Sequence, residues 1–216
     1  MSTLAELAIV REGLWPVLEA RRIGDLEAVR GMVTSLEKAD LLAVGALADV
    51  VRAEEAGDVV RVYANVRPEP SERAVDVRRT GAGEGAGMQF LRAVAIARIT
   101  GPRAAEVRVD WAEVGIELAQ VALGFGASEL VGPIATKRGL AIADDATKKV
   151  KGEGMVSLQA MKQRELAGLV RRSGRSVVIL GPHGVEAEPP PPVELADPLD
   201  LTTPGQGPGR AVAEGA

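Results

Sequence analysis

The sequence predicts an α/β protein: either a partial (half) TIM-like βα barrel or a small open parallel sheet, with a helical segment before it and a disordered tail after it. Three observations predict this. Between residues 38 and 183, segments of helical spacing alternate with short segments rich in Val and Ile, the order of parallel strands joined by helical crossovers. Residues 1–37 carry helical periodicity and no strand pattern. Residues 184–216 turn to Pro, Gly and small side chains, which bury too little apolar surface to offset the entropy of ordering.

The elements follow in order. Leu4, Leu7 and Ala8, then Leu14, Val17 and Leu18, recur at helical spacing, and Pro16 is expected to kink or split that run. Gly24-Asp25 opens a short helix over Leu26–Val33, and Ser35 is a candidate cap for the next element. Residues 38–56 form a helix with Leu41, Val44, Leu47, Ala48 and Val51 on one stripe, stopped by Gly57-Asp58. Val59–Val66 alternates as a strand, with Val60, Val62 and Ala64 against Arg61, Tyr63 and Asn65. Residues 67–87, with Pro68, Pro70, a charged run and alternating glycines, read as a flexible connector. Met88–Ile99 is a helix, Val107–Trp111 a strand and Ala112–Leu123 an apolar helix ended by Gly124 and Gly126. Ala127–Val131 is a short strand, residues 132–156 are ambiguous, Leu158–Arg172 is a helix and Ser176–Leu180 an apolar strand. Four strands are about half of an eight-stranded barrel.

Composition removes several function classes. There is no cysteine in 216 residues, so disulfides, thiolate zinc sites and cysteine-ligated iron–sulfur clusters are excluded. The single histidine, His183, rules out a His-rich metal site and reads as a surface residue. A net charge of −4 gives no case for nucleic acid or an anionic membrane. No apolar stretch reaches the ~20 residues of a membrane helix, and no leader pattern opens the chain. A cytoplasmic protein is the expectation. Aromatics make up 2% of residues, so the core must be built from Leu, Val, Ile and Ala.

Motifs for catalysis are scarce. The run Gly81, Gly83, Gly85, Gly87 precedes a helix, as a phosphate cradle would, but the Lys-Ser/Thr pair of a P-loop is missing. Asp144-Asp145 are adjacent, and helix neighbours do not face one substrate. Pro189–Pro192 could serve as a polyproline ligand, though composition favours a tail.

Several blocks together resemble a family. Ala39–Pro70 is similar to the opening of the radical S-adenosylmethionine (SAM) enzymes of the futalosine route to menaquinone, aminofutalosine synthase and cyclic dehypoxanthinyl futalosine synthase. In these a helix leads through a Gly-Asp turn into a strand carrying Asn, here Asn65, and a CxxxCxxC loop follows. Met88–Ile99, Trp111, Ile116–Pro133 and Glu165–Leu180 resemble blocks from the far end of the family's barrel, in the same order. Ser128-Glu129 stands where the family has an acidic pair, and Gly181-Pro182-His183 replaces its Arg-Asp-x-x-Tyr ending.

The resemblance implies a truncated, cysteine-free relative that has lost the cluster loop and middle strands. Radical chemistry needs the cluster, and the cluster needs thiolates. The expectation is therefore a pseudoenzyme without a cofactor: an accessory or interaction protein linked to menaquinone biosynthesis. Its expected partner is a second copy or an intact futalosine-pathway enzyme. The alternative is a protein that reuses the old pocket for a futalosine-like nucleoside. Barrel residues at carboxyl strand ends line the pocket, so Asn65, Trp111 and Glu129, and less directly Gln120, are the inherited candidates. Each also has a plain structural reading: Trp111 as a packing anchor, Gln120 as a backbone partner and Asn65 as a turn former.

Overall fold

The computed structural model describes residues 3–137, 140–141, 161–181 and 184–185. The chain opens with five helices: α1 (Thr3–Arg11), α2 (Trp15–Ile23), α3 (Leu26–Gly31), α4 (Val33–Lys38) and α5 (Leu41–Glu55). Of the two outcomes expected at Pro16 the run splits, into α1 and α2, and no helix is kinked there. Pro16 sits in the first turn of α2, where its missing N–H costs nothing. Gly24 closes α2 with φ 82°, and Asp25 caps α3 by accepting from Ala28 N–H at 2.9 Å. Ser35, expected to cap the next helix, lies inside α4. The cap of α5 is Asp40, whose Oδ1 accepts from the N–H groups of Leu42 and Ala43.

Strand β1 (Val59–Ala64) follows, then β2 (Ala74–Asp76), α6 (Ala86–Thr100), β3 (Glu106–Asp110), α7 (Trp111–Val114), α8 (Ile116–Leu123) and β4 (Glu129–Gly132). A two-strand antiparallel pair, β5 (Thr136–Lys137) with β6 (Leu140–Ala141), precedes α9 (Gln163–Arg172), β7 (Ser176–Gly181) and β8 (Gly184–Val185). Two expectations change here. The connector 67–87 carries β2, whose three residues pair parallel with β3. One apolar helix over 112–123 becomes two, because Gly115 at φ 89° breaks it; Trp111 opens α7 instead of closing the strand.

The main sheet has the order β2-β3-β4-β1-β7-β8, with the first five strands parallel and β8 antiparallel. Of the two arrangements expected, the open parallel sheet is the one formed. A half barrel would keep successive strands side by side, whereas here β1 lies between β4 and β7 and β2 lies at an edge. The hairpin partner β8 pairs with the last two residues of β7, Leu180 and Gly181, on its outer edge. His183, Asp144, Asp145 and the Pro-rich run fall outside the described residues. No described helix is long and apolar enough to cross a membrane.

All described helices feed one apolar cluster on one face of the sheet. Val60, Val62 and Ala64 of β1, Val107 and Val109 of β3, Leu130 of β4 and Ile179 of β7 meet Val44, Leu47 and Val51 of α5 and Phe90 and Val94 of α6 there. The cluster is closed by arginines more than by rings. Arg21, 2% exposed, donates to Glu55, to Ile99 and Gly101 carbonyls and to Pro102 O. Arg98, fully buried, donates to the carbonyls of Gly126 and Ala105 and to Ser128 Oγ. Burial pushes the Arg98 guanidinium down to about 10, which leaves it protonated at neutral pH. Arg52 donates to Gly57 O and pairs with Asp49 and Asp58 at the turn into β1. Buried charges persist when paired or fully hydrogen-bonded: Arg21 and Arg52 have carboxylates at ion-pair distance, and Arg98 is held by two carbonyls and a hydroxyl.

Candidate functional site

The opposite face of the sheet carries a band of charged side chains beside an apolar margin. Side chains alternate along each strand, so the residues between the core positions all point here. The register sets Arg108 of β3, Glu129 of β4, Arg61 of β1 and Val178 of β7 in one row. Asp110, Val131, Tyr63 and Leu180 form the next row toward the carboxyl ends. Tyr63, Val131, Val178 and Leu180 take no part in the core cluster.

Alternating charges link across this face. Arg73, just before β2, reaches Glu106 at 3.3 Å, and Glu106 reaches Arg108 at 3.4 Å. Arg108 Nε donates to Glu129 Oε2 at 2.6 Å, and Arg61 lies 3.8 Å from the other Glu129 oxygen. The centre of the chain of charges is dry and its ends are wet: the side chains of Glu129 and Arg108 are 1% and 6% exposed, that of Arg61 51%. The Tyr63 hydroxyl donates to Glu129 Oε1 at 3.4 Å, and the Arg108 guanidinium sits 5.8 Å from the Tyr63 ring centre. Burial raises the Tyr63 hydroxyl above its ordinary range, and the Glu129 carboxylate adds to that.

At the carboxyl ends of the strands, where open α/β sheets take ligands, two clefts of about 80 and 220 Å³ adjoin. They share Arg67, Asp110 and Val131. Arg67 reaches Asp110 Oδ2 at 3.3 Å, while Asp110 Oδ1 caps α7 through Ala112 N–H at 2.9 Å. Asp76, Arg78, Arg108 and Glu113 line the smaller cleft. Asn65 and Gly132 line the larger one.

The four candidate residues separate. Asn65 ends β1 at φ 57°, a left-handed conformation that Asn tolerates. Its side chain clamps Ile134 from both sides: Nδ2 donates to Ile134 O at 3.2 Å, and Oδ1 accepts from Ile134 N at 3.0 Å. Asn65 therefore fixes the chain leaving β4 while also forming part of the cleft wall. Trp111 is fully buried against Gly132; a Cβ at 132 would overlap the indole ring. The indole N–H finds no acceptor among the described residues. Gln120 sits half-buried on α8, in the helix layer, away from the cleft walls. Glu129 lies at the amino end of β4, not its carboxyl end, and belongs to the charge network.

Sequence reasoning missed Arg108, Glu106 and Arg67 as members of the site. The alternation of β3 shows that Arg108 points away from the core, but only the register places it on Glu129. Chemically, the network neutralises its own carboxylates. Among the described residues no group of three or more His, Asp or Glu could hold a metal ion. The chain matches no protein-family model, and no curated protein matches it.

Proposed function

We propose that this chain is a non-catalytic, radical-SAM-like accessory protein that works by binding through the polar face of its sheet, in the setting of menaquinone biosynthesis by the futalosine route. The observation that carries the binding part of this reading is the one-sided sheet. Parallel sheets are ordinarily covered on both faces, and here every described helix feeds the core on one face. On the other, Glu129 and Glu106 are held by Arg61, Arg73 and Arg108 and are spent on structure. The family and pathway parts rest on the collinear sequence blocks, and the loss of every cysteine supports a partner role over a reactor role.

The partner in this reading is an intact futalosine-pathway enzyme or a second copy. Co-purification with intact cyclic dehypoxanthinyl futalosine synthase or aminofutalosine synthase tests it. Retention that Arg61→Glu weakens supports the reading, because Arg61 is the exposed end of the network. Retention of neither enzyme, with a wild-type fold by circular dichroism, removes the pathway part.

A second reading is favoured by the clefts at the carboxyl ends, lined by Asn65, Asp110 and Val131: the protein holds a futalosine-like nucleoside there. Thermal-shift titration with SAM, futalosine and inosine discriminates. A saturable shift with a nucleoside that Asp110→Ala abolishes supports this reading, and the absence of any shift sinks it.

A further inference from the structure

An exposed apolar surface is informative where it is contiguous, because soluble chains seldom leave large aliphatic side chains side by side in water. Helix α1 does so. Leu4, Leu7 and Val10 are 75%, 64% and 57% exposed, and Leu42, at the start of the neighbouring α5, is 72% exposed. Ile9, fully buried, and Ala8, half-buried, anchor α1 in the core, while Leu4, Leu7 and Val10 face outward. Between α1 and α5 runs a groove of about 440 Å³ lined by Leu4, Leu7, Ala8, Arg11, Glu12, Asp40 and Ala43.

We infer that this groove is a homodimer surface, in which α1 of one copy packs into the α1–α5 groove of the other. The occupant is argued from charge and symmetry. At the α5 end of the groove, Glu12 accepts from Asp40 N–H at 3.1 Å, and Asp40 accepts from Leu42 and Ala43 N–H. Among the described residues these two acids accept from backbone N–H groups and have no cation at ion-pair distance. Arg11 lies beside them with no carboxylate at ion-pair distance among the described residues. A second copy of this surface brings what the first lacks: aliphatic side chains for the groove floor and an arginine for the acidic rim. A two-fold axis fills both grooves at once, which makes the contact isologous and closed. The inference does not depend on what the polar sheet face binds or on the family resemblance.

Light scattering after size exclusion of the full chain across the micromolar range is the test. A dimer is expected for the wild type. Leu7→Glu, at a position mostly in water, is expected to give a folded monomer, checked by circular dichroism. Arg11→Glu is expected to weaken the dimer at least roughly tenfold, and the exchange Arg11→Glu with Glu12→Arg to restore most of it. A wild-type monomer throughout the range overturns the inference and leaves the groove to a different protein. So does a dimer indifferent to both Leu7→Glu and Arg11→Glu.

Discussion

The two faces of the sheet use the same residue type, arginine, in opposite ways. On the helix-covered face Arg98 and Arg21 are bonded mostly to main-chain carbonyls: they close the ends of helices and turns where the chain would otherwise leave acceptors unpaired. On the polar face Arg108, Arg61 and Arg73 are bonded to carboxylates on neighbouring strands. The first use binds the backbone together, with one side-chain partner each, Glu55 for Arg21 and Ser128 for Arg98. The second depends on strand register, since a slip of one residue would send Glu129 to the other side of the sheet. The covered face is thus a matter of packing, and the polar face a matter of pairing.

Substitutions can break or sharpen this contrast. The largest effect is expected at Glu129. Its replacement by Ala takes the close carboxylate from the buried Arg108 and leaves it only Glu106, at 3.4 Å, and should cost about 3 kcal/mol by urea denaturation. The double change Glu129→Leu with Arg108→Met should recover most of that loss, because a buried pair can be exchanged for apolar side chains at little cost. A double variant as unstable as Glu129→Ala would show that the pair is not the source of the effect. Next comes Gly132→Ala, where the new methyl meets the Trp111 ring, expected to cost about 1–3 kcal/mol through overpacking. Trp111 fluorescence should shift in the same variant, with Trp15→Phe as the background that removes the other tryptophan.

A smaller, pH-dependent effect belongs to the covered side. Burial pushes Glu55 up, but hydrogen bonds from Arg21 and from Ala104 N–H outweigh it and hold the carboxyl below its usual value. A carboxyl lowered in the folded state contributes stability that is complete above its unfolded value. That stability is lost as pH falls through the folded value. Urea midpoints should therefore fall on acidification below pH ~4.3, and less steeply in Glu55→Gln. Equal slopes in the two proteins would remove Glu55 from the account. The smallest effect is expected for Arg61→Ala, below about 1 kcal/mol, because that end of the charge network is solvated.

The helices and strands of the central βα run were legible from spacing, and so was the boundary between core and solvent sides of β1. Val60, Val62 and Ala64 alternate as a half-buried strand must, and they are buried. What sequence could not supply was order. Strand β2 is too short and too polar to stand out, and it exists because β3 offers it a ladder. The break at Gly115 was hidden inside an otherwise apolar helical run. At the site, Asn65 was legible as a residue at a turn, but its two bonds to Ile134 join positions that only the β1–β4 pairing brings together. Glu129 was singled out by a sequence resemblance for a strand-end pocket it does not line, and its partner Arg108 was not singled out, since pairing across strands leaves no trace in local pattern.

The central place of β1 also sets a timetable for folding. Arg61 lies beside Glu129 on one side and Val178 on the other, so β1 emerges early in synthesis and waits for both neighbours. Its row of Val60 and Val62 shares the apolar cluster with α5, the helix that immediately precedes it. Non-local parallel pairing of this kind is slow and leaves apolar strands open to wrong partners meanwhile. The helical start of the chain supplies the apolar partners, Val44, Leu47 and Val51, that the middle strand of the sheet shares its cluster with.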